Sequence, residues 1–127
     1  MKIGLMVHNF TNSATLSIAE TLQRECERLG HTLLVFEGRE LGSRNALFRY
    51  YNSIYSLIGK QGIDGLIMAS STVVRTENRL AAEHFASQLN LPCICIGRPV
   101  GQLPLVRTDN HSGIQSMFAH LYEHGCR

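Results

Sequence analysis

Side chains able to do chemistry gather in short polar stretches that each follow an apolar run. Asn9, Thr11 and Asn12 follow residues 2–8 (KIGLMVH). Ser70, Ser71 and Thr72 follow residues 63–69 (IDGLIMA), Arg98 follows residues 92–96 (PCICI), and Asp109 and Asn110 follow residues 105–108 (LVRT). The set consists of amides and hydroxyls with one guanidinium and one carboxylate. Such groups donate and accept hydrogen bonds without being activated for attack, which suits recognition of a polyhydroxylated or amide-bearing small molecule. Ser13 and Thr15 continue the first stretch, so residues 9–15 are expected to touch the same ligand. Chain connections are polar in any protein. What favours binding is that ligands in open α/β sheets sit at the carboxyl ends of strands.

Reaction chemistry finds no matching constellation. Ser70 and Ser71 lack the Gly-x-Ser-x-Gly flanks of a nucleophile elbow. Cys93 and Cys95 are two apart on an extended run and point to one face. No second pair at zinc spacing follows them, so core packing is expected. His120 and His124 share a helix face but have no third ligand nearby, which suits a solvated face rather than a metal site. Gly38 and Gly42 are not followed by Gly-Lys-Ser/Thr, and residues 9–15 lack G-x-G-x-x-G, so neither a phosphate loop nor a dinucleotide is expected. The expectation is a binding protein without catalytic residues, metal ligands or cofactor.

A framework must hold the polar stretches together. Residues 2–8 read as a strand buried on both faces. From Ala14 the spacing turns helical, with Leu16, Ala19, Leu22, Cys26 and Leu29 on one face and Gly30 as a left-handed stop. Residues 31–37 (HTLLVFE) are the second strand and residues 38–44 a loop. Asn45 then caps a helix whose face is Leu47, Tyr50, Tyr51, Ile54, Leu57 and Ile58, ending at Gly62. Residues 63–69 are the third strand. Thr76 is expected to cap a third helix with Leu80, Ala81, His84, Phe85 and Leu89 on one face. Residues 92–96 and 105–108 are the fourth and fifth strands. A last helix begins near His111, carries Ile114, Met117, Phe118 and Leu121, and stops at Gly125. This alternation predicts an α/β fold: an open parallel five-stranded sheet of order 2-1-3-4-5 with helices on both faces. Asn12, Ser71, Arg98 and Asp109 should then face one crevice.

The 127 residues suffice for one domain with a real core. Twelve basic and ten acidic side chains leave a net charge of +2, with no Lys/Arg run to suggest a nucleic-acid surface. No apolar run reaches membrane-spanning length, and no signal-peptide layout opens the chain. Cys26, Cys93, Cys95 and Cys126 are expected to be reduced thiols in a cytoplasmic protein.

Three segments carry a resemblance. Residues 2–12 (KIGLMVHNFTN), residues 63–71 (IDGLIMASS), and residues 91–99 (LPCICIGRP) with residues 106–127 (VRTDNHSGIQSMFAHLYEHGCR) resemble, in order, the effector-binding domain of lactose-repressor/galactose-repressor-type regulators. That family shares the fold of type I periplasmic binding proteins. The resemblance implies a two-lobed sensor of a sugar-like or nucleobase-like effector in transcriptional regulation. It implies that residues 1–109 are the N-terminal lobe and residues 110–127 the first helix of a second lobe, with Asp109 at the hinge. It also implies a homodimer, with DNA contacted only through a helix-turn-helix module outside this chain. The family's first loop commonly reads Asn-Pro and two aromatics, where this chain has Asn12-Ser13-Ala14-Thr15. Cys126 stands where the family usually has His. Residues 38–60 look more like sensor modules attached to diguanylate cyclases or histidine kinases. A flavodoxin-like enzyme acting on a small molecule is the alternative from another class. Its mark would be a nucleophile–base pair, which the sequence does not offer.

Overall fold

The apolar run at the start folds as β1 (Lys2–Val7), from which Gly4 to Val7 are buried. It lies between β2 (Thr32–Glu37) and β3 (Gly65–Met68), and β4 (Cys93–Ile96) and β5 (Leu105–Val106) extend the sheet beyond β3. All neighbours are parallel, and the order is β2-β1-β3-β4-β5, as the alternation predicts. The computed structural model describes residues 1–126. Arg127, which ends the last resemblance segment, lies outside the described residues.

Strand alternation divides the side chains between two faces. Met6, Phe36, Leu66, Met68, Cys93 and Cys95 point into the larger core, so the paired cysteines pack as expected. Leu5, Val7 and Ala69 point the other way, with Leu33 and Ile67 half-buried against them. The helix α1 (Ser13–Arg28) covers this second face through Ala19 and Leu22. Val35, Ile94 and Val106 share that face by register and remain exposed.

The helices depart from the expected faces. In α1 the buried residues are Thr15, Ala19 and Cys26, while Leu16 and Leu29 are exposed. The expected second helix is α-helical only over α2 (Ala46–Tyr51) and continues as a 3₁₀ helix over Asn52–Lys60. The tighter winding brings residues three apart into line. Tyr55 therefore joins the expected Ile58 in the core, with Ile54 half-buried against it, while Leu47, Tyr50, Tyr51 and Leu57 stay exposed. The expected polar loop at residues 70–72 is instead a single helical turn, α3 (Ser70–Val73). Thr76 caps no α-helix. It opens a short 3₁₀ turn (Thr76–Asn78), and α4 (Arg79–Gln88) starts only at Arg79. This helix packs through Ala82, Phe85, Ala86 and Leu89, and Leu80 and His84 are exposed. The small Ala82 sits fully buried at the contact, which turns the flanking Leu80 and His84 outward. The last helix, α5 (Asn110–Glu123), starts one residue before the expected His111, and every residue in it is exposed.

The carboxyl ends of β1 and β2 are fastened by one side chain. Tyr55 Oη lies 2.8 Å from the Val7 carbonyl and 3.0 Å from the Arg39 carbonyl, to which its hydroxyl donates. Gly38 makes the approach possible, because a Cβ there would lie 2.6 Å from Tyr55 Oη. Burial pushes the Tyr55 hydroxyl well above its ordinary pKa, so it remains a donor.

Candidate functional site

The carboxyl ends of β3, β4 and β5 open into a crevice of about 760 Å³. Ser71, Arg98, Asp109 and Asn110 line it together with Gly97, Arg107, Thr108 and His111. Four of the ten residues expected at a ligand thus share one cavity.

Local chemistry places each of them. Ser70 and Ser71 are adjacent but have different environments. Ser70 is fully buried, and its hydroxyl lies 2.9 Å from the Ile96 carbonyl and 2.6 Å from the Arg98 carbonyl. The same oxygen accepts the Arg98 backbone N–H at 3.0 Å. Ser70 therefore holds the loop after β4, while Ser71 is exposed and faces the crevice. The loop passes close to Ser71 because residue 97 is glycine. Its φ is +101°, and a Cβ there would lie 2.6 Å from Ser71 Cβ. With its backbone held, Arg98 extends its guanidinium outward, where Nη1 donates to Thr76 Oγ1 at 3.1 Å.

Asp109 caps α5. Its carboxylate accepts the Ser112 N–H at 3.1 Å and the Ser112 hydroxyl at 2.7 Å. These hydrogen bonds, with Arg107 nearby, hold its pKa below the usual carboxylate value.

The residues of the first polar stretch go elsewhere. Asn9 Oδ1 accepts from the Thr11 backbone N–H at 3.1 Å and from its hydroxyl at 2.7 Å, which folds the loop on itself. Asn12 caps α1 by accepting the Ala14 N–H at 2.8 Å, and Ser13 is the helix's exposed first residue. Thr15 is buried, and its hydroxyl has no hydrogen-bond partner among the described residues. None of these five side chains lines the crevice.

Between that loop and the crevice lies a charged cluster. The Glu40 carboxylate pairs with Arg75, and Arg39 Nη1 donates to the His8 carbonyl at 3.0 Å while stacking on Tyr51. Burial, reinforced by Arg39, lowers the pKa of His8. The His8 backbone N–H approaches Thr72 Oγ1 at 3.4 Å, so the remaining hydroxyl of the second stretch bridges β1 and α3.

Arg107, Thr108, His111 and Gly97 were not among the expected site residues. Residues 107 and 108 read as strand, but β5 ends at Val106, so both belong to the crevice wall. A charged residue two positions before Asp109 is the available signal. No group of three or more His, Cys, Asp or Glu side chains placed to hold a metal occurs among the described residues. No helix among them is long and apolar enough to cross a membrane.

No protein-family model matches the sequence, and no curated protein matches it. Among solved structures, the chain is similar to a periplasmic binding protein/LacI transcriptional regulator from Alkaliphilus metalliredigens, determined in complex with D-xylulofuranose. The identity is 21% and the TM-score 0.69, over 99% of this chain and 42% of that one. The chain thus spans about two fifths of the length of that protein. It has the fold of a lobe of a periplasmic-binding-protein-like domain.

Proposed function

We propose that the chain is the N-terminal lobe of a sensor for a small effector, sugar-like or nucleobase-like, in a regulator of the lactose-repressor type. The observation that carries this reading is the crevice at the carboxyl ends of β3 to β5, where Ser71, Arg98 and Asn110 present hydrogen-bonding groups. The crevice lies at the carboxyl ends of the strands, where ligands of open α/β sheets bind, but to one side of the β1/β3 point at which the strand order reverses. The neighbour of the same fold was solved with a sugar. Binding, without chemistry by this segment, is the role proposed. An enzymatic output module of the diguanylate cyclase or histidine kinase kind is the second reading, with the same lobe as its sensor.

Residues 110–127 are assigned to a second lobe that closes over the crevice. The exposed face of Ile114, Met117, Phe118 and Leu121 supports this, because each such side chain gains about 1.5–3 kcal/mol when fully covered. A cytoplasmic homodimer is the proposed assembly, and DNA would be reached only through a separate helix-turn-helix module. Sedimentation of the two-lobed protein tests the dimer; a strict monomer at high concentration rejects it.

A thermal-shift screen of sugars and nucleobases on the two-lobed protein tests the sensing reading. A hit should weaken by about 1.5–3 kcal/mol in Arg98→Ala, as a charge-assisted hydrogen bond is lost. Asp109→Ala should weaken it too, by loosening the start of α5. Residues 1–127 alone should bind weakly, since a closing cleft buries its ligand between two walls. Unchanged affinity in both variants would count against this crevice as the site.

A further inference from the structure

The crevice has an unbalanced charge, and the imbalance bears on the class of ligand. Three other arginines pair with a carboxylate, while Arg24, Arg39, Arg44 and Arg49 form no ion pair among the described residues. Arg28 pairs with Glu25, Arg75 with Glu40, and Arg79 with Glu83. The two arginines that line the crevice, Arg98 and Arg107, form no ion pair among the described residues. Arg98 donates to a neutral hydroxyl, that of Thr76. The crevice also contains one carboxylate, Asp109, but both of its oxygens already accept hydrogen bonds from Ser112. Two guanidiniums therefore share one cavity with a single carboxylate that is turned to the start of α5.

We infer that this crevice takes an anionic effector, one that carries a carboxylate or phosphate group beside its hydroxyls. The inference rests on the sensing role proposed above and narrows its ligand class. Guanidinium forks match the planar geometry of a carboxylate and the oxygens of a phosphate, and both can be gripped by two parallel N–H···O bonds. A cleft lined by one sign of charge also concentrates ligands of the opposite sign. Ser71 and Asn110, on the same wall, supply uncharged groups for the hydroxyls of such a molecule. A neutral sugar would bring no charge to Arg98, whose side chain bonds only the neutral hydroxyl of Thr76, and a desolvated guanidinium without a counter-charge is costly.

The test uses ¹⁵N-labelled full-length protein and three probes: inorganic phosphate, acetate and D-xylulose. Phosphate or acetate should give saturable shifts at Arg98 and Arg107 Nε–H and at the Ser71 and Asn110 amides. The concentrations needed should be roughly tenfold or more below those required for D-xylulose. The stronger of the two anions separates a phosphate reader from a carboxylate reader. Arg107→Gln should abolish most of the preference. Arg107 is exposed and forms no ion pair among the described residues, so this variant should keep the fold intact. Equal shifts in the variant and the parent overturn the anionic assignment. D-Xylulose acting at lower concentration than either anion overturns it as well and leaves the sensing role standing. A flat response to all three probes overturns the anionic assignment and leaves the sensing role to the sugar and nucleobase screen.

Discussion

The adjacent serines at the end of β3 give a sharp test of the crevice. Ser70→Ala removes a hydroxyl that is fully buried and bonded in two directions. Its proton serves the carbonyls of Ile96 and Arg98, and its oxygen is the acceptor for the Arg98 N–H. Loss of a net hydrogen bond costs about 1 kcal/mol, and a partly buried N–H left without an acceptor costs about 1–3 kcal/mol. The expected destabilisation is therefore about 2–4 kcal/mol. Ser71→Ala removes an exposed hydroxyl, and its effect on stability should stay within about 0.5 kcal/mol. Effector affinity should behave differently, since only Ser71 faces the crevice. Ser71→Ala should weaken binding by up to about tenfold, the equivalent of one hydrogen bond. The assay for stability is urea unfolding of both variants beside the parent, with the midpoint moving and the slope constant. Ser70→Ala unfolding within about 0.5 kcal/mol of the parent would refute the reasoning, as would Ser71→Ala being the less stable of the pair.

Gly38→Ala should destabilise by about 1–3 kcal/mol through overpacking against the Tyr55 ring, and a Tyr55→Leu background should recover part of the loss; additive effects in the double variant would exclude the clash. Thr15→Val should be neutral or stabilising, because the hydroxyl it removes is buried without a partner, and a clear loss in chemical unfolding would mean that the hydroxyl is satisfied. At neutral pH an alkylating reagent should modify Cys126 and spare Cys93 and Cys95 until the protein unfolds, because burial raises both buried thiols, Cys93 to about 12; mass spectrometry of the labelled native protein decides it. His8 has a folded pKa below its unfolded value, so the unfolded chain takes up the proton first and stability falls as pH drops from about 7 towards 5. His8→Gln should flatten that slope, and an unchanged slope would remove His8 as its cause.

The sheet could be read from the sequence because strand burial leaves a strong pattern. The apolar runs at residues 2–8 and 63–69 are long enough to mark β1 and β3, and alternation with helical spacing fixes the parallel order. Helix faces were harder. The expected face includes Ile54 and Ile58, which do meet the core, but nothing local announces the change to 3₁₀ winding that buries Tyr55 and leaves Leu47, Tyr50 and Leu57 exposed. The site was read in part. Strand ends were located closely enough to select Ser71, Arg98, Asp109 and Asn110, but Ser70 and Ser71 are identical residues whose burial depends on where the loop after β4 passes. Asn9 and Asn12, also expected at a ligand, carry hydrogen bonds within their own loop that residue type alone does not announce. Arg107 and Thr108 were hidden by a strand two residues shorter than its apparent extent.

The full exposure of α5 has a consequence for when the crevice exists. A helix of 14 residues with no tertiary support sits near the length at which isolated helices are marginal in water, and Gly113 in its first turns lowers its stability further. Its helix–coil balance therefore depends on what docks against Ile114, Met117, Phe118 and Leu121. Asn110 and His111, which line the crevice, lie in the first turn of this helix. Amide exchange in α5 should then be fast in this segment alone and slow when its apolar face is covered. Two of the eight residues that line the crevice thus depend on that balance, so on the proposed reading covering α5 and completing the crevice are one equilibrium.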